Sequence, residues 1–148
     1  MSLVKNSKLQ AKGLWLIMIL FVALMGCEQG DPFVNQSEQP NPNWELTVEN
    51  DLMSSMTAIV KVSIASQPGI LAAFIGDDCC GVTSSENYID GRYNLFISPS
   101  AQGENVLLKF YSPDLKRIFE AKETFKYVNN DHLGSPSAPY TPTWTVAK

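Results

Sequence analysis

Two adjacent cysteines, Cys79 and Cys80, are the most unusual pair of reactive residues in the sequence. Adjacent Cα atoms lie about 3.8 Å apart, below the usual ~4.4–6.8 Å of a disulfide, so a bridge between these two would be strained and easily reduced. Successive side chains of a strand point to opposite faces, which favours one thiol packed inside and its neighbour facing outward. A vicinal disulfide, a soft-metal site and a crosslink to another chain stay open as alternatives.

Few other residues suggest catalysis or metal binding. His132 is the only histidine and follows the polar residues 129–131, which favours a solvated turn over a catalytic base. Asp77 and Asp78 offer oxygen atoms to a calcium ion, but no regularly spaced acidic loop surrounds them, which favours a plain hairpin. The chain has no Gly-x-Ser-x-Gly and no His-Glu-x-x-His pattern. We therefore predict a protein that is not an enzyme and has no metal site and no cofactor.

Exposed aromatic rings are the other feature that could bind a ligand, because sugar rings stack on them. Tyr88 and Tyr140 are flanked by polar residues and prolines, so they are the two tyrosines that we expect outside the core. They are the candidate ligand-binding residues. Most aromatic residues of a small domain belong to its core, so ordinary packing is the main alternative.

The start of the chain reads as an export signal. Three lysines precede an unbroken apolar run over residues 14–25, which is about 18 Å of helix and too short for the ~30 Å hydrocarbon layer. The run ends in Leu24-Met25-Gly26-Cys27, which resembles the lipobox of bacterial lipoproteins. The resemblance implies cleavage before Cys27 and lipidation of its thiol with diacylglycerol and palmitate, whereas plain secretion is the alternative.

The residues after Cys27 predict a tether and an acidic domain. Residues 27–43 are polar and rich in proline, asparagine and glutamine, so we expect a flexible linker before a domain at 44–148. Eight basic residues face fifteen acidic ones from Cys27 onward, a net charge of −7. This charge disfavours nucleic-acid partners and leaves the lipid as the attachment to the membrane. Glu28 and Asp31 resemble the acidic export signal of Bacteroidetes surface lipoproteins.

The remaining sequence has the period-two pattern of strands. Turn signals rich in glycine, proline and aspartate separate apolar runs at short intervals, which predicts a single all-β domain, an antiparallel β-sandwich of about seven to eight strands with an immunoglobulin-like arrangement. The predicted strands cover residues 56–64, 70–75, 93–97, 106–111, 117–120, 122–127 and 144–146. The predicted core consists of Trp44, Val60, Val62, Phe74, Leu95, Leu108, Phe110 and Phe119.

One segment of this domain resembles a known family. Residues 70–82, Ile-Leu-Ala-Ala-Phe-Ile-Gly-Asp-Asp-Cys-Cys-Gly-Val, are similar to the AAFVGDECRGVA-like segment of a β-sandwich module in Bacteroidetes surface and secreted proteins. The resemblance extends over about residues 44–145 and includes a downstream Gly-Ser-Pro segment at residues 134–136. It implies a β-sandwich at the cell surface and little about chemistry. Cys80 stands where the family has arginine, so any role of that arginine is absent here.

These observations predict a non-catalytic lipoprotein of the cell envelope that acts as a binding or adhesion module for a glycan or a protein. The expected location is the outer membrane, exposed at the cell surface, and the alternative is a periplasm-facing lipoprotein. The alternative function is a structural subunit of a fimbria-like assembly or a polysaccharide-uptake complex, joined through an edge strand.

Overall fold

The computed structural model of the chain describes residues 37–47, 54–64, 66–98 and 103–148. The predicted signal peptide, the lipidation site Cys27 and the tether up to residue 36 lie outside the described residues. Within the described ranges, no helix is long and apolar enough to cross a bilayer.

The described residues form strands and one short 3₁₀ turn at Ser85–Asn87. Three of the strands are only two residues long, which is why ten are present where about seven to eight were predicted. In chain order they are β1 (Met56–Lys61), β2 (Ile70–Ile75), β3 (Asp78–Thr83), β4 (Tyr88–Ile89), β5 (Arg92–Ile97), β6 (Asn105–Ser112), β7 (Arg117–Ala121), β8 (Phe125–Lys126), β9 (His132–Leu133) and β10 (Trp144–Val146).

The strands make two sheets that pack face to face, which confirms the predicted all-β sandwich. The smaller sheet has four strands in the order β4-β5-β1-β9. The larger sheet has the order β10-β7-β6-β2-β3, and β8 also pairs with β6. Most pairs are antiparallel, but β9 runs parallel to β1, so the sandwich is not purely antiparallel as predicted. The immunoglobulin-like arrangement stays a prediction.

Alternate residues of β1 and β5 fill the space between the sheets. On β1 these are Met56, Ala58 and Val60, and the last two pair directly with Leu95 and Tyr93 of β5. The larger sheet contributes the inward residues of β6 and β7. Burying one such side chain stabilises the fold by about 1.5–3 kcal/mol. All predicted core residues except Trp44 are buried.

Trp44 is only half-buried because it covers the outer face of the larger sheet and not the main core. Its ring meets the edge of Phe74 at 5.7 Å between centroids. Phe74 forms a small cluster there with Ala72 and Cys79. The strand β2 is therefore covered on both faces, as its unbroken apolar run predicted.

The folded domain begins earlier than the sequence predicted. The backbone N–H of Gln39 donates to the carbonyl of Lys116 at 2.8 Å, and the Gln39 side-chain oxygen accepts from the N–H of Ile118 at 2.7 Å. Arg117, which is 5% exposed, donates to the carbonyl of Ser37 at 3.1 Å. Residues 37–43 thus belong to the domain, because polar side chains can fix a segment that has little apolar surface.

A β-bulge joins the two sheets at the edge strand β3. Ala73 of β2 pairs with Gly81 and Phe74 pairs with Cys79, so Cys80 has no partner on β2. Its carbonyl oxygen instead accepts a hydrogen bond of 2.7 Å from the N–H of Ser98, just after β5 in the other sheet. Bulges commonly redirect a strand in this way.

Candidate binding face

The two tyrosines predicted to bind a ligand lie at the edges of the smaller sheet. The strand register places Tyr88 beside Tyr93, Tyr93 beside Val60, and Val60 beside Tyr140. Residues paired across strands share a face of the sheet, and here the two middle residues are fully buried. Tyr88 and Tyr140 therefore flank the core, three strand spacings or about 14 Å apart.

Each of these tyrosines packs on another aromatic ring. Tyr88 lies 4.9 Å from Tyr93 between ring centroids, and Tyr140 lies 5.8 Å from Phe125. Both are half-buried beside the core, and ligand binding by these two tyrosines stays a prediction. The structure does not bring them together into one platform.

The outer face of the smaller sheet carries two of the three large apolar side chains that are exposed among the described residues. Phe96 is 55% exposed and Ile89 is 59% exposed. Phe96 pairs with Thr57, and Ile89 pairs with Arg92, so these two apolar residues stand near opposite ends of β5. Single exposed apolar residues are common on protein surfaces, so Phe96 and Ile89 point to an interaction only together with the depressions and polar side chains between them. We call this surface the outer face; it comprises Thr57, Ile59, Lys61, Asn87, Ile89, Arg92, Asn94, Phe96, His132 and Pro136.

Polar side chains alternate with the apolar ones on this face. Thr57 and His132 are paired in register, and their side chains are hydrogen-bonded to each other. Asn94 is exposed and lies beside Ile59 in the next row. Amides, hydroxyls and imidazoles both donate and accept hydrogen bonds, so they fit a ligand rich in hydroxyl groups.

Two shallow depressions divide the outer face. The larger has a volume of about 270 Å³ and is lined by residues that include Thr57, Asn87 and Phe96. The smaller has a volume of about 130 Å³ and is lined by Ile59, Ile89, Arg92, Asn94 and Pro136. Both are smaller than the ~300–1,000 Å³ of an enclosed small-molecule pocket. The face therefore suits a ligand that lies across it and inserts single groups.

The loop at residues 134–139 forms one side of the smaller depression, which Pro136 lines. Gly134 has φ +75°, and a Cβ there would lie 2.6 Å from the Tyr140 nitrogen and 2.7 Å from the Ile59 oxygen. Only glycine fits so close to two backbones. The loop then places the carbonyl oxygen of Pro136 where Arg92 donates to it. The Gly-Ser-Pro segment thus positions the loop that forms this side of the depression.

Both thiols of the cysteine pair are buried and free, with Cys79 3% and Cys80 1% exposed. The expectation that one faces outward is wrong, because the bulge breaks the alternation and β3 is covered on both sides. Burial raises the pKa of each thiol above its ordinary value of 9.0. Thiolate is the reactive form, so this environment makes both sulfur atoms poor nucleophiles. The vicinal disulfide, which was an alternative to the expected free thiols, is not formed in this structure.

The other residues considered for chemistry are dispersed. His132 is exposed in β9, and Asp77 is exposed in the turn between β2 and β3. Asp78 opens β3, and one of its carboxylate oxygens accepts a long hydrogen bond of 3.4 Å from Thr47. In the ranges that the structure describes, no three histidine, cysteine, aspartate or glutamate side chains are grouped to hold a metal ion.

Phe96 was overlooked in the sequence although a signal for it was present. In residues 93–97 the inward positions are Tyr93, Leu95 and Ile97, so strict alternation predicts a polar residue at 96. Phenylalanine there departs from the pattern. The exposure of Ile89 could not be predicted in this way, because β4 has only two residues and so shows no alternation.

Comparison with protein-family models, with curated proteins and with solved structures gave no match. The outer face and the residues that line it are therefore the basis for assigning a function.

Proposed function

We propose that the protein is a non-catalytic binding module of a cell-envelope lipoprotein, and that the outer face of the smaller sheet binds its ligand, a glycan or a protein. The observation that carries this proposal is the exposure of Phe96 and Ile89 on a face that also holds two depressions and polar side chains. Leaving a large apolar side chain in water forgoes about 1.5–3 kcal/mol of burial. A ligand that covers these side chains recovers part of that free energy.

The proposed anchor is the lipid on Cys27. The predicted mature chain has a net charge of −7, which disfavours general attraction of the domain to anionic headgroups, so a covalent lipid is needed for stable attachment. We place the protein at the outer membrane, exposed at the cell surface, on the basis of Glu28 and Asp31. A periplasm-facing position is the alternative.

The strand edges favour ligand binding over the alternative of an assembly subunit. At the edges of the smaller sheet, β4 and β9 have two residues each. The edge strand β3 of the larger sheet already accepts backbone hydrogen bonds from Thr47 and Ser98. Short and covered edges discourage pairing with another chain. The opposite edge strand, β10, has only three residues.

Replacing Phe96 by alanine tests the binding face. We expect the full-length chain in mild detergent to be retained on one member of a panel of purified polysaccharides and glycoproteins. Phe96→Ala should lower that affinity about thirtyfold, because an aromatic side chain that anchors a ligand often contributes about 2 kcal/mol. Leu46→Ala is the matched control, since Leu46 is 41% exposed outside this face. Equal loss in both variants, or none in either, would contradict the proposal.

The anchor is tested separately. Cys27→Ser should abolish incorporation of labelled palmitate and leave unprocessed precursor. Cys79→Ser is the control, because its thiol is buried in the domain, and its labelling should stay at the wild-type level. Unchanged labelling of the Cys27 variant would refute the lipoprotein assignment.

A further inference from the structure

Two positive charges stand side by side on the outer face. Lys61 of β1 and Arg92 of β5 are directly paired in the antiparallel register, so their side chains lie on the same face. Like charges directly opposite each other destabilise a sheet. Asp90 partly offsets the charge of Arg92 through an ion pair of 3.3 Å. Lys61 is exposed and forms no ion pair with any residue that the structure describes.

The larger sheet shows the opposite arrangement. On its outer face Lys109 pairs with Glu120, and their charged atoms are 2.9 Å apart. The protein therefore places an acid opposite a base on one sheet and two bases opposite each other on the other sheet. Two bases opposite each other are unexpected here, because acidic residues outnumber basic ones by fifteen to eleven in the chain. Asp90 offsets only one of these two charges, so this face keeps a local positive charge at Lys61, within a chain of negative net charge, for an anion from outside the protein.

We propose that the ligand of the outer face is an acidic polysaccharide, one that bears carboxylate or sulfate groups. This inference rests on the binding module proposed above. An anionic group would lie against Lys61 and Arg92, while a sugar ring would stack on Phe96. These two ends are four residues apart along β1 and β5, or about 13 Å. The ligand therefore spans more than one sugar ring.

The face favours a glycan over an acidic peptide. An extended peptide gains most of its affinity from backbone hydrogen bonds to an open strand edge. Here β1 lies between β5 and β9, and β5 lies between β4 and β1, so the neighbouring strands already use their backbone groups. The polar contacts on this face are Asn94 and the remaining donors and acceptors of the hydrogen-bonded pair Thr57 and His132. These groups suit hydroxyl groups, and one exposed ring lies beside them.

Binding to matched polymers of different charge tests the inference. The full-length chain in mild detergent would be titrated with polygalacturonate, alginate and chondroitin sulfate, and with fully methyl-esterified polygalacturonate as the neutral counterpart. Poly-glutamate would serve as the acidic peptide. We expect at least one acidic polysaccharide to bind, and binding to weaken as salt rises from 20 mM to 500 mM because screening shortens the range of the charges. The esterified polymer should bind at least tenfold more weakly than polygalacturonate if the latter binds.

Variants connect the result to the outer face. Lys61→Gln should lower the affinity about tenfold, the factor expected for one charge-assisted hydrogen bond. Lys126→Gln removes an exposed lysine of β8, on the other sheet, and should leave the affinity unchanged. Phe96→Ala should also weaken binding. Thermal unfolding of each variant would verify that the fold is kept.

The remaining outcomes separate this inference from the proposed function. Binding of the neutral polymer alone, with loss in Phe96→Ala, would overturn the acidic ligand and keep the binding module. Binding of poly-glutamate alone, with loss in Lys61→Gln, would overturn the glycan and indicate an acidic protein partner. Equal loss in Lys61→Gln and Lys126→Gln would show that general charge attraction explains the binding, and would overturn the inference. Failure of every polymer at 20 mM salt would overturn it as well.

Discussion

At Gly81 the backbone of the larger sheet comes close to the backbone of the smaller one. A Cβ built on this residue would overlap the carbonyl oxygen of Phe96 and lie 3.3 Å from a methyl carbon of Leu95. Next to it, the hydrogen bond from the N–H of Ser98 to the carbonyl oxygen of Cys80 holds β3 and the end of β5 at this separation. The glycine of the Cys-Cys-Gly segment is therefore required by the junction between the sheets.

Gly81→Ala should lower the free energy of unfolding by about 1–3 kcal/mol, the usual cost of forcing extra volume into a packed site. Backbone atoms cannot move aside as a flexible side chain can, so the cost should fall at the upper end of this range. Urea unfolding measures it.

Thr83→Val on the same strand is the matched control for Gly81→Ala. The hydroxyl of Thr83 is buried and has no hydrogen-bond partner among the described residues. Replacing it by a methyl group of similar shape should leave stability unchanged or raise it. A stable Gly81→Ala protein would show that the sheets can separate here without cost.

At the scale of elements, residues 37–43 act as part of the domain and not as tether. They satisfy the backbone groups of Lys116 and Ile118 and place Glu38 3.1 Å from the ammonium group of Lys116. That ion pair is exposed and contributes little. The two backbone bonds matter more, because each contributes about 0.5–1.5 kcal/mol.

Chains that begin at Ser37 and at Trp44 should therefore differ in stability. We expect the chain from Ser37 to unfold at the same urea concentration as the full-length protein. The chain from Trp44 should lose about 1–3 kcal/mol through the missing hydrogen bonds. Gln39→Ala in the full-length protein should give a smaller loss, since it removes one acceptor. If both shortened chains unfolded at the same urea concentration, residues 37–43 would not stabilise the domain, and the predicted boundary at Trp44 would be correct.

The strands that the sequence predicted well are those with a pattern of their own. Residues 70–75 and 144–146 were predicted with the bounds that β2 and β10 have. The strand β3 was missed as a separate element because its bulge interrupts the period of two. Two-residue strands such as β4 and β9 form only because they pair with longer neighbouring strands. They are too short to have an alternating pattern that would predict them from the sequence.

The candidate site was predicted less well than the fold, for a related reason. Whether Tyr140 faces the core depends on its pairing with Val60, eighty residues earlier in the chain. Such a register is set by packing between distant parts of the chain, so the prolines next to Tyr140 do not predict it. Phe96, by contrast, was readable from the alternation of its own strand. Local patterns thus identify exposed apolar residues more reliably than the polarity of a loop does.

Three buried weak acids, two thiols and a phenol, share one electrostatic property. Burial raises the pKa of Cys79 and Cys80 above 9.0, and it raises the pKa of Tyr93 above 10.0. In each case the folded protein holds its proton to a higher pH than the unfolded chain does. The fold therefore favours the neutral form of all three groups.

The sign of the resulting pH dependence follows from proton binding. Below pH 9 both states are protonated at these groups, so their contribution to stability is complete. The unfolded chain loses the cysteine protons first as the pH rises above 9, and the tyrosine proton as it rises above 10. The free energy of unfolding then falls by up to about 1.4 kcal/mol per pH unit for each group that is ionised only in the unfolded chain. We expect stability measured by urea unfolding under reducing conditions to be level from pH 7 to 8.5 and to decline beyond pH 9.

A variant assigns the decline to these residues. Tyr93 donates weakly to the carbonyl of Gly69 at 3.4 Å and accepts from the Gly69 N–H at 2.6 Å. Tyr93→Phe should therefore cost about 1 kcal/mol at pH 7. Because phenylalanine cannot ionise, the same variant should also reduce the slope above pH 10. A stability that stays level up to pH 11 would mean that these groups have the same pKa in the folded and unfolded chain, which would contradict the effect of burial.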